Sequence, residues 1–156
     1  MSQALPDRSV TVLSAYFSYP TGGTPDDAGL TFLASRPPRD WERIDRYAER
    51  LRFATGDVLA AEGERDRSFA ILLSGSLVIE LPHRPRIVAG SVFGELAFLT
   101  GAPRSATVRA EEGGEMLRLS REAFDVLSAR HAELGRSIAL ELGRIVAVRL
   151  QQADRR

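Results

Sequence analysis

Apolar residues repeat with two different periods along the chain. From Trp41 to Leu51 they recur every three or four positions, which predicts an amphipathic helix with Asp40 as its N-cap. From residue 52 to residue 119, short apolar and β-branched runs alternate with turns rich in Gly, Pro and Ser. From Ser120 onward the helical period returns, which predicts a short helix capped by Ser120 and then a longer one.

The middle region determines the expected fold class. Strands this short, separated by such regular turns, are typical of a β-sandwich or roll and not of βαβ units. We expect a mainly β fold with α-helices: a jelly-roll-like β-roll (double-stranded β-helix) with an N-terminal helix, a short internal helix and C-terminal helices. We expect residues 41–156 to form this domain and residues 1–40 to form an N-terminal extension, to which no motif assigns a role.

Composition excludes several classes of function. The chain has 156 residues, with 21 Lys and Arg against 21 Asp and Glu, and this zero balance argues against a nucleic-acid partner. It has no cysteine, and its two histidines, His83 and His131, are isolated, so no metal site and no metal-dependent enzyme is expected. No apolar run reaches the roughly 20 residues of a membrane span. The first residues lack a signal-peptide pattern, so a cytoplasmic location is expected.

One stretch interrupts the strand pattern with about one helical turn that opens at Gly94. Glycine lets the backbone approach a ligand closely, and the next N–H groups, of Leu96 and Ala97, have no intrahelical partners. Such groups form an anion site. Arg104, after a Gly- and Pro-containing turn, can return across this site, where its planar fork suits two phosphate oxygens. Ser105 adds a hydroxyl donor.

Glu95 indicates that the ligand is more than an anion, because a carboxylate would repel a bare phosphate. It fits a ligand that also presents a hydroxyl donor close to its phosphate, such as a ribose 2′-hydroxyl beside a cyclic 3′,5′-phosphate. The alternative reading is that these residues form an ordinary capped helical turn and that Arg104 is a surface cation. For any one of these residues taken alone, the ordinary helical turn and surface cation is the better interpretation.

The joint pattern resembles the phosphate-binding cassette of the cyclic-nucleotide-binding domain family. Residues 93–97 and 103–108 match that cassette, with Phe98 in place of the usual Leu, and the resemblance covers roughly residues 45–152. It implies a non-catalytic sensor that binds cAMP or cGMP as its ligand, without a cofactor. It implies a nucleotide-binding site formed by Phe93, Gly94, Glu95, Leu96, Ala97, Arg104, Ser105 and Ala106, with Arg144, Ile145 and Val148 closing over the base.

The long C-terminal helix leaves two interpretations open. Leu134, Ile138, Leu142, Ile145 and Arg149 share one stripe, yet other faces between residues 138 and 150 are also apolar. The helix could be held between the roll and the N-terminal arm. It could also be a lid over the base, with its outer face meeting a second copy or an effector protein. A rival function follows: an interaction module that keeps the fold and has lost the ligand.

Overall fold

A computed structural model of the protein describes residues 32–33 and 36–154, so most of the segment assigned to the extension, including an apolar run at residues 9–20, lies outside the described residues. The elements follow the order that the sequence predicts, with strands in the middle of the chain and helices on either side of them. In chain order they are α1 Pro38–Tyr47, β1 Glu49–Phe53, β2 Val58–Ala60, β3 Ser68–Leu72, β4 Ser76–Ile79, β5 Arg86–Ile87, β6 Val92–Phe93, α2 Glu95–Thr100, β7 Val108–Glu112, β8 Gly114–Ser120, α3 Arg121–Arg130 and α4 Ala132–Asp154.

The strands form two four-stranded sheets in which every pair is antiparallel. One sheet has the order β1-β8-β3-β6 and the other β2-β7-β4-β5. Strand β3 lies between β8 and β6, with Ile71 opposite Leu117 and Ala70 opposite Phe93. The helices flank these two sheets, which confirms the predicted β-roll with N-terminal, internal and C-terminal helices.

Two apolar cores explain why β3 is buried along its whole length. Its alternate side chains point to opposite faces of the sheet. Ala70 and Leu72 join the core inside the roll, which we call the interior core. Phe69 and Ile71 join a second core, packed with residues of α1, α3 and α4, which we call the helix-side core. The internal helix α2 lies directly after β6, so it is fixed to the roll.

The prediction for the N-terminal helix was wrong at both ends. The helix begins at Pro38 after an extended Pro37 N-cap, and Asp40 lies buried in its first turn, 2.7 Å from the guanidinium of Arg36. Proline suits the first helical position because its missing N–H has no intrahelical acceptor there. The helix ends at Tyr47 because residues 49–53 pair with β8 as a strand. Leu51 fits both periods, which is why the sequence placed it on the helix.

Two further features lie beyond the predicted elements. Phe32 and Leu33 are 1% and 4% exposed in the helix-side core, where the ring of Phe32 contacts Trp41 and Phe69 edge-on. The Phe32 N–H donates to the Gly90 carbonyl at 3.1 Å. This core therefore includes two residues of the segment assigned to the extension. Strand β6 was missed because it has two residues, too few to show a period.

Candidate functional site

A cavity of about 250 Å³ opens beside the start of α2 and the loop that leads to β7. It brings together all eight cassette residues that the sequence singled out, and the other lining residues come from β2, β4, β7 and the end of α2 with its following loop. The lining consists of Phe93, Gly94, Glu95, Leu96, Ala97, Arg104, Ser105 and Ala106, together with Ala60, Ile79, Thr100, Ala102, Pro103 and Val108. The wall is thus mainly apolar, with charged groups from Glu95 and Arg104.

Gly94 sets the local geometry at the entrance to α2. Its φ of 81° and ψ of 7° lie in the left-handed region, which glycine adopts without steric cost. A Cβ at this position would collide with a guanidinium nitrogen of Arg104 and lie 3.0 Å from the Ser68 carbonyl oxygen. Glycine is therefore required both by the backbone turn and by the close approach of Arg104.

The guanidinium of Arg104 is buried and held from several sides. Its Nη1 donates to the Gly94 carbonyl at 3.2 Å, and its Nη2 donates to Ser68 Oγ at 3.1 Å. Asp66 lies 3.3 Å from Nη2 as the counter-ion, and the Arg104 side chain is only 8% exposed. Its Nε is buried and has no hydrogen-bond partner among the described residues. A buried donor left without an acceptor is costly, because it has lost its water partner without gaining a protein one.

Glu95 forms a buried ion pair that the sequence reading missed. Its Oε1 lies 2.6 Å from Nη1 of Arg149 on α4, and each side chain is 1% exposed. Nη2 of Arg149 donates to the Val92 carbonyl at 2.9 Å. Glu95 therefore belongs to the cavity wall and to the contact with the C-terminal helix at the same time. The signal available in the sequence was an arginine on the stripe of buried apolar residues in α4.

The three residues expected to close over the base are not among the residues that line the cavity. Ile145 is fully buried in the helix-side core, and Val148 packs against that same core. Arg144 donates from Nε to Glu141 at 3.1 Å, and this side-chain hydrogen bond raises the pKa of Arg144. The helix residue that packs on the interior core is instead Val146. Successive helical residues differ by about 100° in direction, so a shift of one position moves a side chain to another face.

The C-terminal helix also has an exposed face, although the sequence made it look apolar all round. The stripe predicted from Leu134 to Arg149 is buried throughout. Leu140 and Leu150, on the other side, are 63% and 46% exposed. The described residues contain no cluster of His, Cys, Asp or Glu that could hold a metal ion. Within residues 32–33 and 36–154, no helix has the length and hydropathy needed to cross a membrane.

The fold is thus a β-roll whose internal helix and returning arginine line one mainly apolar cavity with two charged side chains, and sequence comparison specifies the family. The sequence profile of the cyclic nucleotide-binding domain matches residues 50–131, more than half of the chain. This chain therefore belongs to the cyclic nucleotide-binding domain family.

Relatives and solved structures agree with this assignment. The chain is 35% identical over 101 residues to a cAMP-dependent protein kinase regulatory subunit of Hypocrea atroviridis. The aligned residues are 63% of this chain and 22% of that protein. It is 33% identical over 84 residues to a cyclic nucleotide-gated potassium channel of Rhizobium etli, covering 53% of this chain and 24% of the channel. The chain thus matches about a quarter or less of the length of these relatives.

Two solved structures share the fold. The catabolite activator protein of Thermus thermophilus superposes with a TM-score of 0.65 at 25% identity, covering 78% of this chain and 58% of that one. A cyclic nucleotide-binding domain from Methylobacillus flagellatus superposes with a TM-score of 0.69 at 21% identity, covering 96% and 83%. The likeness to the second structure supports the fold alone.

Proposed function

We propose that this chain is a non-catalytic sensor that binds cAMP or cGMP in the cavity beside α2. The observation that carries the proposal is that a buried guanidinium with an unsatisfied Nε and a buried carboxylate line one small cavity. An anion alone would suit Arg104 but not Glu95. A cyclic nucleotide suits both, because its ribose hydroxyl is a donor and its phosphate is an acceptor.

Each residue has a distinct part in this proposal. Arg104 neutralises the cyclic phosphate with its planar guanidinium, whose Nε has no acceptor among the described residues. The backbone N–H groups of Leu96 and Ala97 donate to the same phosphate. Glu95 accepts from the ribose 2′-hydroxyl. Ser105 either donates to the phosphate or accepts from the guanine amino group, so it is the residue at which cAMP and cGMP would be distinguished.

The C-terminal helix would report whether the cavity is filled. Because Glu95 is paired with Arg149, a ribose that approaches Glu95 changes the contact that fixes the end of α4. A ligand that interacts differently with two positions of α4 shifts the population between them. Amides of α4 after Ile145 should then exchange hydrogen more slowly with ligand bound, by a larger factor than amides of β3. Equal effects in both elements would contradict this switch.

The exposed side of α4 favours a partner in addition to the ligand. Leu140 and Leu150 are large apolar side chains, both well exposed on this helix. A second copy of the chain or an effector protein could cover them, and in a ligand-free interaction module this would be the main function. The proposed location is the cytoplasm, where cyclic nucleotides are available to such a sensor.

Titration calorimetry separates the sensor from the interaction module. Purified protein is titrated with cAMP and with cGMP, and 5′-AMP serves as the control that lacks the cyclic phosphate. The sensor predicts saturable binding of at least one cyclic nucleotide with one site per chain, and weaker binding of 5′-AMP. If neither cyclic nucleotide binds at millimolar concentration, the interaction module becomes the better account.

A further inference from the structure

The loop before β3 makes hydrogen bonds to both Arg104 and helix α2, which supply the polar groups of the proposed phosphate site. Its bonds to Arg104 involve the backbone. The Gly63 N–H donates to the Arg104 carbonyl at 2.8 Å. The Arg104 N–H donates to the Glu64 carbonyl, also at 2.8 Å. Arg104 is therefore bonded to this loop through its N–H and through its carbonyl, which fixes its Cα relative to the roll.

Asp66 of this loop and Ser68, the first residue of β3, also orient the guanidinium of Arg104. Ser68 Oγ accepts from Nη2 of Arg104 at 3.1 Å and donates to Asp66 at 3.0 Å. The other carboxylate oxygen of Asp66 lies 3.3 Å from that same nitrogen. Asp66 and Ser68 thus hold each other as well as the arginine, which leaves the guanidinium little freedom to rotate.

Arg67, between these two residues, holds the other half of the site, which is helix α2. Its Nε donates to the Phe98 carbonyl at 2.9 Å, and its Nη2 donates to the Leu99 carbonyl at 3.2 Å. The last carbonyls of a helix have no intrahelical partners, and a cation there also interacts favourably with the helix dipole. The helix has only six residues, so these two bonds are a large share of what fixes its end.

The backbone of Arg67 is itself anchored. Its carbonyl accepts from the N–H of Arg121, the first residue of α3, at 2.9 Å. The ring of Phe98 packs edge-on against Phe124 of α3, with centroids 5.4 Å apart. Arg67 therefore connects α2, through its side chain, to the start of α3, through its backbone. This backbone anchor restricts the movement of the Arg67 side chain.

We infer that Arg67 is a positioning residue for the phosphate site. It fixes α2 relative to Arg104, so that the N–H groups of Leu96 and Ala97 keep a constant position relative to the guanidinium. Arg67 does not line the cavity, so we assign it no direct contact with the nucleotide. This inference depends on the proposed function, because it assigns Arg67 a part in binding the cyclic phosphate.

The test compares Arg67→Met with Arg65→Met, which removes the same charge from an exposed loop residue that makes no hydrogen bond to the described residues. Arg67→Met should weaken cyclic-nucleotide binding roughly tenfold, since it removes two charge-assisted hydrogen bonds. Arg65→Met should leave the affinity unchanged within about twofold. Arg67→Lys, which keeps the charge and one donor, should lie between Arg67→Met and the wild type.

Two further measurements distinguish positioning from general stabilisation. In ligand-free protein, Arg67→Met should speed hydrogen exchange at Phe98 and Gly101 while β3 is unchanged. Combined with Arg104→Lys, its effect on affinity should be less than multiplicative, because the two residues act on one phosphate.

Arg67→Met with wild-type affinity, or with unchanged exchange at α2, would overturn the inference. If the wild type binds no cyclic nucleotide, the proposed function fails by itself. The exchange comparison in ligand-free protein still decides whether Arg67 positions α2.

Discussion

The guanidinium of Arg149, near the end of α4, lies 2.6 Å from the carboxylate of Glu95, at the start of α2, and both side chains are 1% exposed. They are 54 positions apart in the sequence. One of the two residues lines the cavity, and the other belongs to the helix that completes the helix-side core. This pair therefore joins the proposed ligand site to the part of the fold that would transmit binding.

Removing one partner of this pair should strongly destabilise the protein. Arg149→Met leaves a carboxylate buried opposite an apolar side chain, which typically costs about 3–5 kcal/mol in the free energy of unfolding. Glu95→Gln combined with Arg149→Met should recover part of that loss, because no unpaired charge remains. Urea denaturation measures both. The control is Arg144→Met, on the exposed side of the same helix and paired with Glu141, which should change stability by less than about 1 kcal/mol. Equal losses for Arg149→Met and Arg144→Met would show that the buried pair has no special role.

Gly94 should tolerate no side chain. Gly94→Ala forces a left-handed φ on alanine and places a methyl group against the Arg104 guanidinium, so Arg104 must move. We expect cyclic-nucleotide affinity to fall at least tenfold, by the loss of the Arg104 contact. Gly143→Ala is the matched control, since the added methyl group has no heavy atom within 4 Å and the residue lies in a helix. It should raise stability by about 0.5–1 kcal/mol and leave affinity unchanged. Equal affinities for the two variants would mean that Gly94 does not position Arg104.

The cassette could be read from the sequence because its chemistry is contiguous. Residues 93–97 and 103–106 meet in the cavity because only the last turn of α2 and one short loop separate them. The buried stripe of α4, from Leu134 to Arg149, was also predictable, because it depends only on the helical period.

The partners of the cassette could not be read in this way. Arg149 contacts Glu95, and Asp66 contacts Arg104, only because of the tertiary packing. Local periodicity in the sequence contains no information about such contacts. The expected lid residues, Arg144, Ile145 and Val148, are not among the residues that line the cavity, for a related reason. The sequence placed α4 near the cavity, but which side chain faces it depends on the rotation of the helix. That rotation is set by Ile145 in the helix-side core, which leaves Val146 against the interior core.

The hydroxyl specificity of the site should depend on Glu95. A 2′-deoxy cyclic nucleotide should bind the wild type about tenfold or more weakly, since a hydrogen bond to a charged group contributes about 1.5–3 kcal/mol. Glu95→Gln keeps the size of the side chain while removing its charge, and the 2′-deoxy analogue should lose less against this variant than against the wild type. Competition binding with both ligands gives the four dissociation constants. Losses that multiply independently would mean that Glu95 acts through Arg149 or Arg104 and does not contact the ribose.

The most direct measurement is the dissociation constant of a cyclic nucleotide for the wild type and for Arg104→Ala. Losing a buried, charge-paired donor typically costs about 2–5 kcal/mol, so Arg104→Ala should weaken binding at least tenfold. Arg86→Ala is the control, because it removes an arginine that is exposed and paired with Glu111 outside the cavity. Circular dichroism should show both variants folded at the titration temperature. We expect a large loss of affinity for Arg104→Ala and none for Arg86→Ala; an unchanged dissociation constant in Arg104→Ala would show that Arg104 does not bind the cyclic phosphate.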